Sequence, residues 1–158
     1  MKKIIIIILC LFALVGCKKD KDDSKELDSG SITDVVNFVK ATIKDKEYLI
    51  TLEDNETADM LLSLLPQEYN MEELNGNELY IFLDDTFPTD AYNPKNINKG
   101  DVMLYGNNCL VIFYEDLETT YNYTKIGHID NLPEFKEGEK VLVKITSAKE
   151  GDNSAPTN

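Results

Sequence analysis

The chain changes character three times along its length. After Met1-Lys2-Lys3, the 13 residues from Ile4 to Gly16 carry no charge, and Lys18-Lys19-Asp20 ends that run abruptly. Residues 18 to 32 are polar, mixed in sign and nearly free of apolar side chains. From 33 to 147 short apolar stretches recur with turn residues between them, and 148 to 158 is polar again. This pattern predicts a leader over 1–16, a tether over 17–32, one folded domain over 33–147 and a disordered tail over 148–158.

Inside the domain the dominant period is two. Val35, Asn37, Val39, Ala41 and Ile43 alternate with Val36, Phe38, Lys40 and Thr42, which predicts a partly buried strand. Lys44-Asp45-Lys46 makes a turn, and 47–52 returns as a second strand. Asp54 and Asn55 supply a helix N-cap, acids crowd the first turn, and Ala58, Leu61, Leu62 and Leu65 follow at helical spacing up to Pro66. A helix is therefore expected over 56–65. Further strands are expected at 69–74 and 78–83 around Asn75-Gly76-Asn77, at 101–105 and 109–114 around Gly106-Asn107-Asn108, at 121–129 and at 140–145, with a short helical turn near 132–135. Asp84 to Lys99 reads as a loop of 16 residues, long for a compact domain and so a functional candidate. Seven or eight short strands around one helix predict a mainly β fold: a closed or nearly closed barrel with one or two short helices.

The uncharged run is too short for a transmembrane helix, which needs about 18 apolar residues or more, but suits the h-region of a signal peptide. Its end, Leu14-Val15-Gly16-Cys17, resembles the bacterial lipobox, in which small residues precede a Cys that becomes the acylated first residue of the mature chain. The resemblance implies lipidation at Cys17 and attachment to a membrane through the lipid alone. Lys18-Lys19-Asp20-Lys21-Asp22-Asp23 is similar to the charged sequences that follow the lipidated Cys in surface-exposed lipoproteins of some Gram-negative groups. That implies the bacterial cell envelope, at the outer membrane or cell surface. With Cys10 in the leader and Cys17 lipidated, Cys109 stands alone in the mature chain and no internal disulfide can form. Its setting, Cys109-Leu110-Val111-Ile112-Phe113, predicts a small core hydrophobe rather than a nucleophile.

Charge then narrows the partners. The chain has 29 acidic residues, 16 Lys, no Arg and a formal net charge of −13. Residues 33–147 alone hold nine Lys and 22 acids, so the acidity belongs to the folded domain and its tails are close to neutral. Nucleic acid is excluded as a partner, since phosphate binding draws on clustered cations. The same charge keeps the domain soluble and away from anionic membrane surfaces, and a monomer is expected.

Several segments carry a family resemblance. Asp45-Lys46-Glu47-Tyr48, Asp54-Asn55-Glu56-Thr57-Ala58, Leu61-Leu62-Ser63-Leu64-Leu65-Pro66 and Met71 to Glu78 resemble the small bacterial cyclophilin-like domain family. So do Pro88-Thr89-Asp90, Asn98 to Gly106 and Tyr121 to Ile129. The resemblance implies an eight-stranded cyclophilin-type barrel with at least one helix capping an end, and it implies little about activity.

Prolyl isomerisation is the one enzyme class that the resemblance suggests. The barrier to rotating a prolyl amide is about 20 kcal/mol, and an isomerase lowers it by desolvating the bond and donating a hydrogen bond to the amide nitrogen. Cyclophilins use Arg as that donor and commonly line the proline pocket with Trp, and this chain has neither residue. Lys is a flexible, strongly hydrated point charge and a poor replacement. A noncatalytic binding domain is therefore expected, with a divergent prolyl isomerase as the alternative.

No other catalytic or cofactor motif is present, and one His precludes a His-x-x-x-His metal site. Asp84, Asp85 and Asp90 lack EF-hand spacing. Neither metal nor cofactor is expected. The remaining candidates are aromatic: Tyr80, Phe82, Tyr92, Tyr105, Phe113, Tyr121 and Tyr123, with His128 at the edge. A Tyr hydroxyl needs a partner or water, so several Tyr together suit the wall of a cleft. Flanked by Asn and Asp, that cleft would take a peptide or a small polar ligand.

Overall fold

The computed structural model describes residues 38–148. The leader, Cys17, the tether, the start of the first expected strand and nearly all of the expected tail lie outside them. Ten strands and one helix follow in chain order: β1 (Phe38–Ile43), β2 (Lys46–Leu52), α1 (Glu56–Leu64), β3 (Gln67–Leu74), β4 (Glu78–Phe82), β5 (Asn96–Ile97), β6 (Asp101–Tyr105), β7 (Cys109–Phe113), β8 (Leu117–Glu118), β9 (Tyr123–Ile129) and β10 (Lys140–Ser147). Eight of them close into an antiparallel barrel in the order β1-β10-β3-β4-β7-β6-β9-β2, and β5 pairs with β8 as a separate ribbon. Among the described residues no helix is long and apolar enough to cross a membrane.

Alternation decides which side chains enter the barrel. Val39, Ala41 and Ile43 of β1, Val141, Val143 and Ile145 of β10, and Ile50 of β2 are buried in one interior core with Met71, Leu79, Leu104, Leu110 and Ile112. The β1–β2 turn is tight because Lys44 and Asp45 both take left-handed φ, 50° and 62°. That geometry matches the twist of the strands that they join.

Helix α1 forms where its cap is strongest. The Asn55 side chain accepts from the Ala58 N–H at 2.9 Å, and its amide donates to the Lys125 carbonyl at 2.9 Å, so one residue starts the helix and ties it to β9. Ala58 and Leu61 join the interior core. The helix ends one residue earlier than expected, because Leu65 precedes Pro66 and is pushed to an extended ψ of 145°. The expected helical turn at 132–135 does not form: Asn131 turns left-handed at φ 58° and Pro133 follows. Instead Leu132 is buried in the core, and Phe135 packs on Tyr114 with ring centroids 5.0 Å apart.

Glu73 is a buried carboxylate that fastens two turns. It accepts from the Gly76 N–H at 2.6 Å, the Gly138 N–H at 2.6 Å and the Tyr114 hydroxyl at 2.9 Å. Burial alone would raise its pKa, but the three donors outweigh burial and hold it below the usual carboxylate range. A depressed folded-state pKa adds stability that is complete above the ordinary Glu value of about 4.3 and is lost as pH falls through the folded value. Urea-unfolding midpoints should therefore drop between about pH 5 and pH 2, and Glu73→Gln should lower the midpoint at neutral pH and flatten that acid slope. Glu139, bonded to the Lys136 N–H and to Lys44, will keep part of the slope in the variant. An unchanged slope in Glu73→Gln would remove this role.

Candidate functional site

Strands β6 and β7 are buried on both faces, whereas β1 and β10 alternate. Something must cover their outer side. On β7, Leu110 and Ile112 point inward, which leaves Cys109, Val111 and Phe113 outward. On β4, Leu79 points inward and Glu78, Tyr80 and Phe82 outward. Pairing sets Phe82 beside Cys109 and Tyr80 beside Val111 on one flank, then Tyr105 beside Cys109 and Tyr123 beside Tyr105 on the other. A second core of Ile97, Met103, Cys109, Val111, Phe113 and Tyr123 thus lies outside the barrel, with Leu117 packed on it from the β5–β8 ribbon.

Where the ribbon stops, this outer core opens into a recess of about 410 Å³. Cys109 and Val111 lie buried at its base, and Tyr80, Phe82, Tyr105, Tyr121 and Tyr123 surround it with Leu74, Asn75 and Glu78. The rings stand across one another: Tyr80 and Phe82 meet at 82°, as do Tyr105 and Tyr121. A larger cleft of about 650 Å³ shares Asn75, Glu78, Tyr121 and Tyr123 with the recess and adds Asn77, Asn96, Thr119 and Thr120, with Lys95, Leu117 and Glu118 beside them. Together they join an aromatic socket to a strip of amides and hydroxyls.

Electrostatics inside the recess centre on Glu78. Burial, then the charge of Glu73, raises its pKa. Burial and the Glu78 charge push the Cys109 thiol up to about 11, so it stays protonated and unreactive at neutral pH. Burial, followed by Glu78, likewise raises Tyr123.

Five of the eight residues expected at a ligand site therefore converge: Tyr80, Phe82, Tyr105, Tyr121 and Tyr123. Phe113 does not join them, because the ribbon covers it completely and it packs edge-on against Tyr123 at 5.6 Å. Tyr92 contributes backbone: its N–H and carbonyl bridge those of Tyr123 at 3.0 and 2.9 Å. The 84–99 segment is thus tied down rather than a free loop, with Phe87 buried and β5 inside it.

His128 lies toward the other end of β9, five residues from Tyr123 and so about 16 Å along the strand. Its Nδ1 is 3.3 Å from Oδ1 of Asp101 and its Nε2 is 3.4 Å from Oδ1 of Asp130. Lys125 reaches the same Asp101 oxygen at 3.3 Å. A bulge opposite Val102 and Met103 lets Lys125 and His128 both approach Asp101. Burial opposes the Lys125 charge, but Asp101 and then Glu53 outweigh it and hold the ammonium above its ordinary range. Among the described residues no cluster of His, Cys, Asp and Glu has the arrangement of a metal site.

Glu78, Leu74 and Asn75 were not singled out by sequence reasoning. A signal did exist: the unbroken apolar runs 79–83, 102–104 and 109–113, which contrast with the alternation at 140–145. Such runs mark strands covered on both faces.

A closed eight-stranded antiparallel barrel with an aromatic recess on its outer wall places the protein among small β-barrel domains of the cyclophilin type. The family model described as the Cyclophilin-like family matches residues 41–147, and the chain belongs to that family. No curated protein and no solved structure matches it significantly.

Proposed function

We propose that this protein is a lipid-anchored binding domain of the bacterial cell envelope that takes a peptide or a small polar ligand in the aromatic recess and does not catalyse a reaction. The carrying observation is the convergence of five aromatic side chains, four of them Tyr, beside a cleft of amides and hydroxyls. Aromatic walls supply contact area, and the polar strip supplies orientation. The noncatalytic part rests on the donor that is missing. The chain has no Arg, and no Lys or His lines the recess among the described residues. Without a fixed donor, a prolyl amide bound there would keep most of its rotation barrier.

The anchor rests on Leu14-Val15-Gly16-Cys17 and the charged tether behind it. Its place in the outer membrane or at the cell surface follows from the same segment.

Two measurements test this reading. A proline-peptide isomerisation assay on the full chain is expected to match the uncatalysed rate, and acceleration would overturn the noncatalytic reading in favour of an isomerase. Cys17→Ala is expected to abolish lipid labelling and release the protein from the membrane fraction. Unchanged retention would sink the anchor.

A further inference from the structure

The recess holds a carboxylate that no cation pairs with among the described residues. Glu78 faces outward on β4, partly buried among aromatic rings, and its carboxylate makes no hydrogen bond or ion pair among the described residues. Six of the domain's nine lysines are paired elsewhere: Lys40 with Glu47, Lys44 with Glu139, Lys99 with Glu115, Lys125 with Asp101, Lys140 with Glu72 and Lys144 with Glu68. Lys95 lines the larger cleft, which Glu78 also borders, but the two form no ion pair, and Lys95 is not in the recess lining. The acceptor excess extends to Asn77, whose buried side-chain oxygen has no partner among the described residues.

Aromatic faces attract cations through the ring quadrupole, and rings set nearly at right angles enclose a cation from two sides. A partly buried carboxylate beside them gains most from a positive partner, since water screens it least. The domain's excess of acids over Lys gives a long-range field of the same sense. The adjoining strip of Asn75, Asn77, Asn96, Thr119 and Thr120 offers hydrogen bonds that suit a peptide backbone better than a bare amine.

Resting on the reading of the recess as a ligand site, we propose that its ligand is a basic peptide, with a Lys ammonium or Arg guanidinium seated among the rings against Glu78.

The test is a titration of the 15N-labelled full chain, in detergent, with acetyl-Gly-Lys-Gly-amide, its norleucine counterpart and butylamine. The lysine peptide is expected to shift the amides of Glu78, Tyr105 and Tyr121 and to bind about tenfold more tightly than either of the other probes. Glu78→Gln should erase the advantage over norleucine, its dispersed spectrum showing that the barrel is intact. Tyr121→Leu, at an exposed rim position, should weaken the lysine peptide severalfold as an independent check. Equal binding of the norleucine peptide at these amides would overturn the cationic preference and leave the recess a ligand site. Equal binding of butylamine would overturn the peptide. Shifts confined to other parts of the chain with all three probes would overturn both this inference and the recess as a binding site.

Discussion

Gly100→Ala is expected to destabilise the domain by about 3–5 kcal/mol, a large share of the roughly 5–15 kcal/mol that holds a domain of this size together. Two effects add. Gly100 sits at φ 96°, where an L side chain carries strain of about 1–2 kcal/mol. Its added Cβ would also fall on the carbonyl oxygen of Ile129 and lie 2.7 Å from the His128 ring. That carbonyl cannot retreat cheaply, because the same corner is fixed by the Gly100 N–H donating to Phe113 at 2.7 Å and the Ile129 N–H donating to Gly100 at 2.9 Å. Gly138→Ala is the control: φ is 69°, but nothing lies within 4 Å of a Cβ there, so only conformational strain remains. Urea unfolding followed by far-ultraviolet circular dichroism separates the two variants. If Gly100→Ala costs no more than Gly138→Ala, the close approach of β6 to the end of β9 is wrong. Gly127→Ala should fall near Gly100→Ala, since its Cβ would land on the Thr51 carbonyl oxygen across the β2–β9 pairing.

These glycines mark where sequence and structure part. All eight barrel strands were legible, some from an alternation such as Val141, Val143 and Ile145 and others, such as 109–113, from a short apolar run bounded by turn residues. The helix was legible because Asn55 and Pro66 are local signals at its two ends. The ribbon was not, since β5 and β8 are two residues each and too short to show a period. The site was half legible for a related reason. Residue type identified the tyrosines, but the wall that each one joins depends on pairing and on cover. His128 went to the far end of β9 and Phe113 went beneath the ribbon, and neither outcome is written in the residue itself. Glu78 was overlooked because one more acid in an acidic domain carries no local mark. Only its place in a row with Tyr80 and Phe82 gives it meaning.

Phe113 tests whether that outer core is a structural unit. It is fully buried between the barrel wall and the ribbon, so Phe113→Ala should cost about 3–5 kcal/mol by lost burial and by the cavity left behind. Phe113→Leu, which nearly fills the space, should cost less than about 1.5 kcal/mol. The location of the damage matters more than its size. The interior core packs without Phe113, whereas the ribbon sets its own Ile97 and Leu117 into an outer core that Phe113 and Met103 help to form. The Thr119 N–H, which donates to the Lys95 carbonyl at 2.8 Å beside the ribbon, should exchange with solvent much faster in Phe113→Ala. The β1–β10 amides should keep their protection relative to global unfolding. Uniform loss of protection would mean that the two cores unfold as one, and that the ribbon has no local freedom of its own. Selective loss would show that the ribbon opens separately from the barrel, so that a ligand seated in the larger cleft, which Asn96 and Leu117 of the ribbon line, would tighten it by mass action.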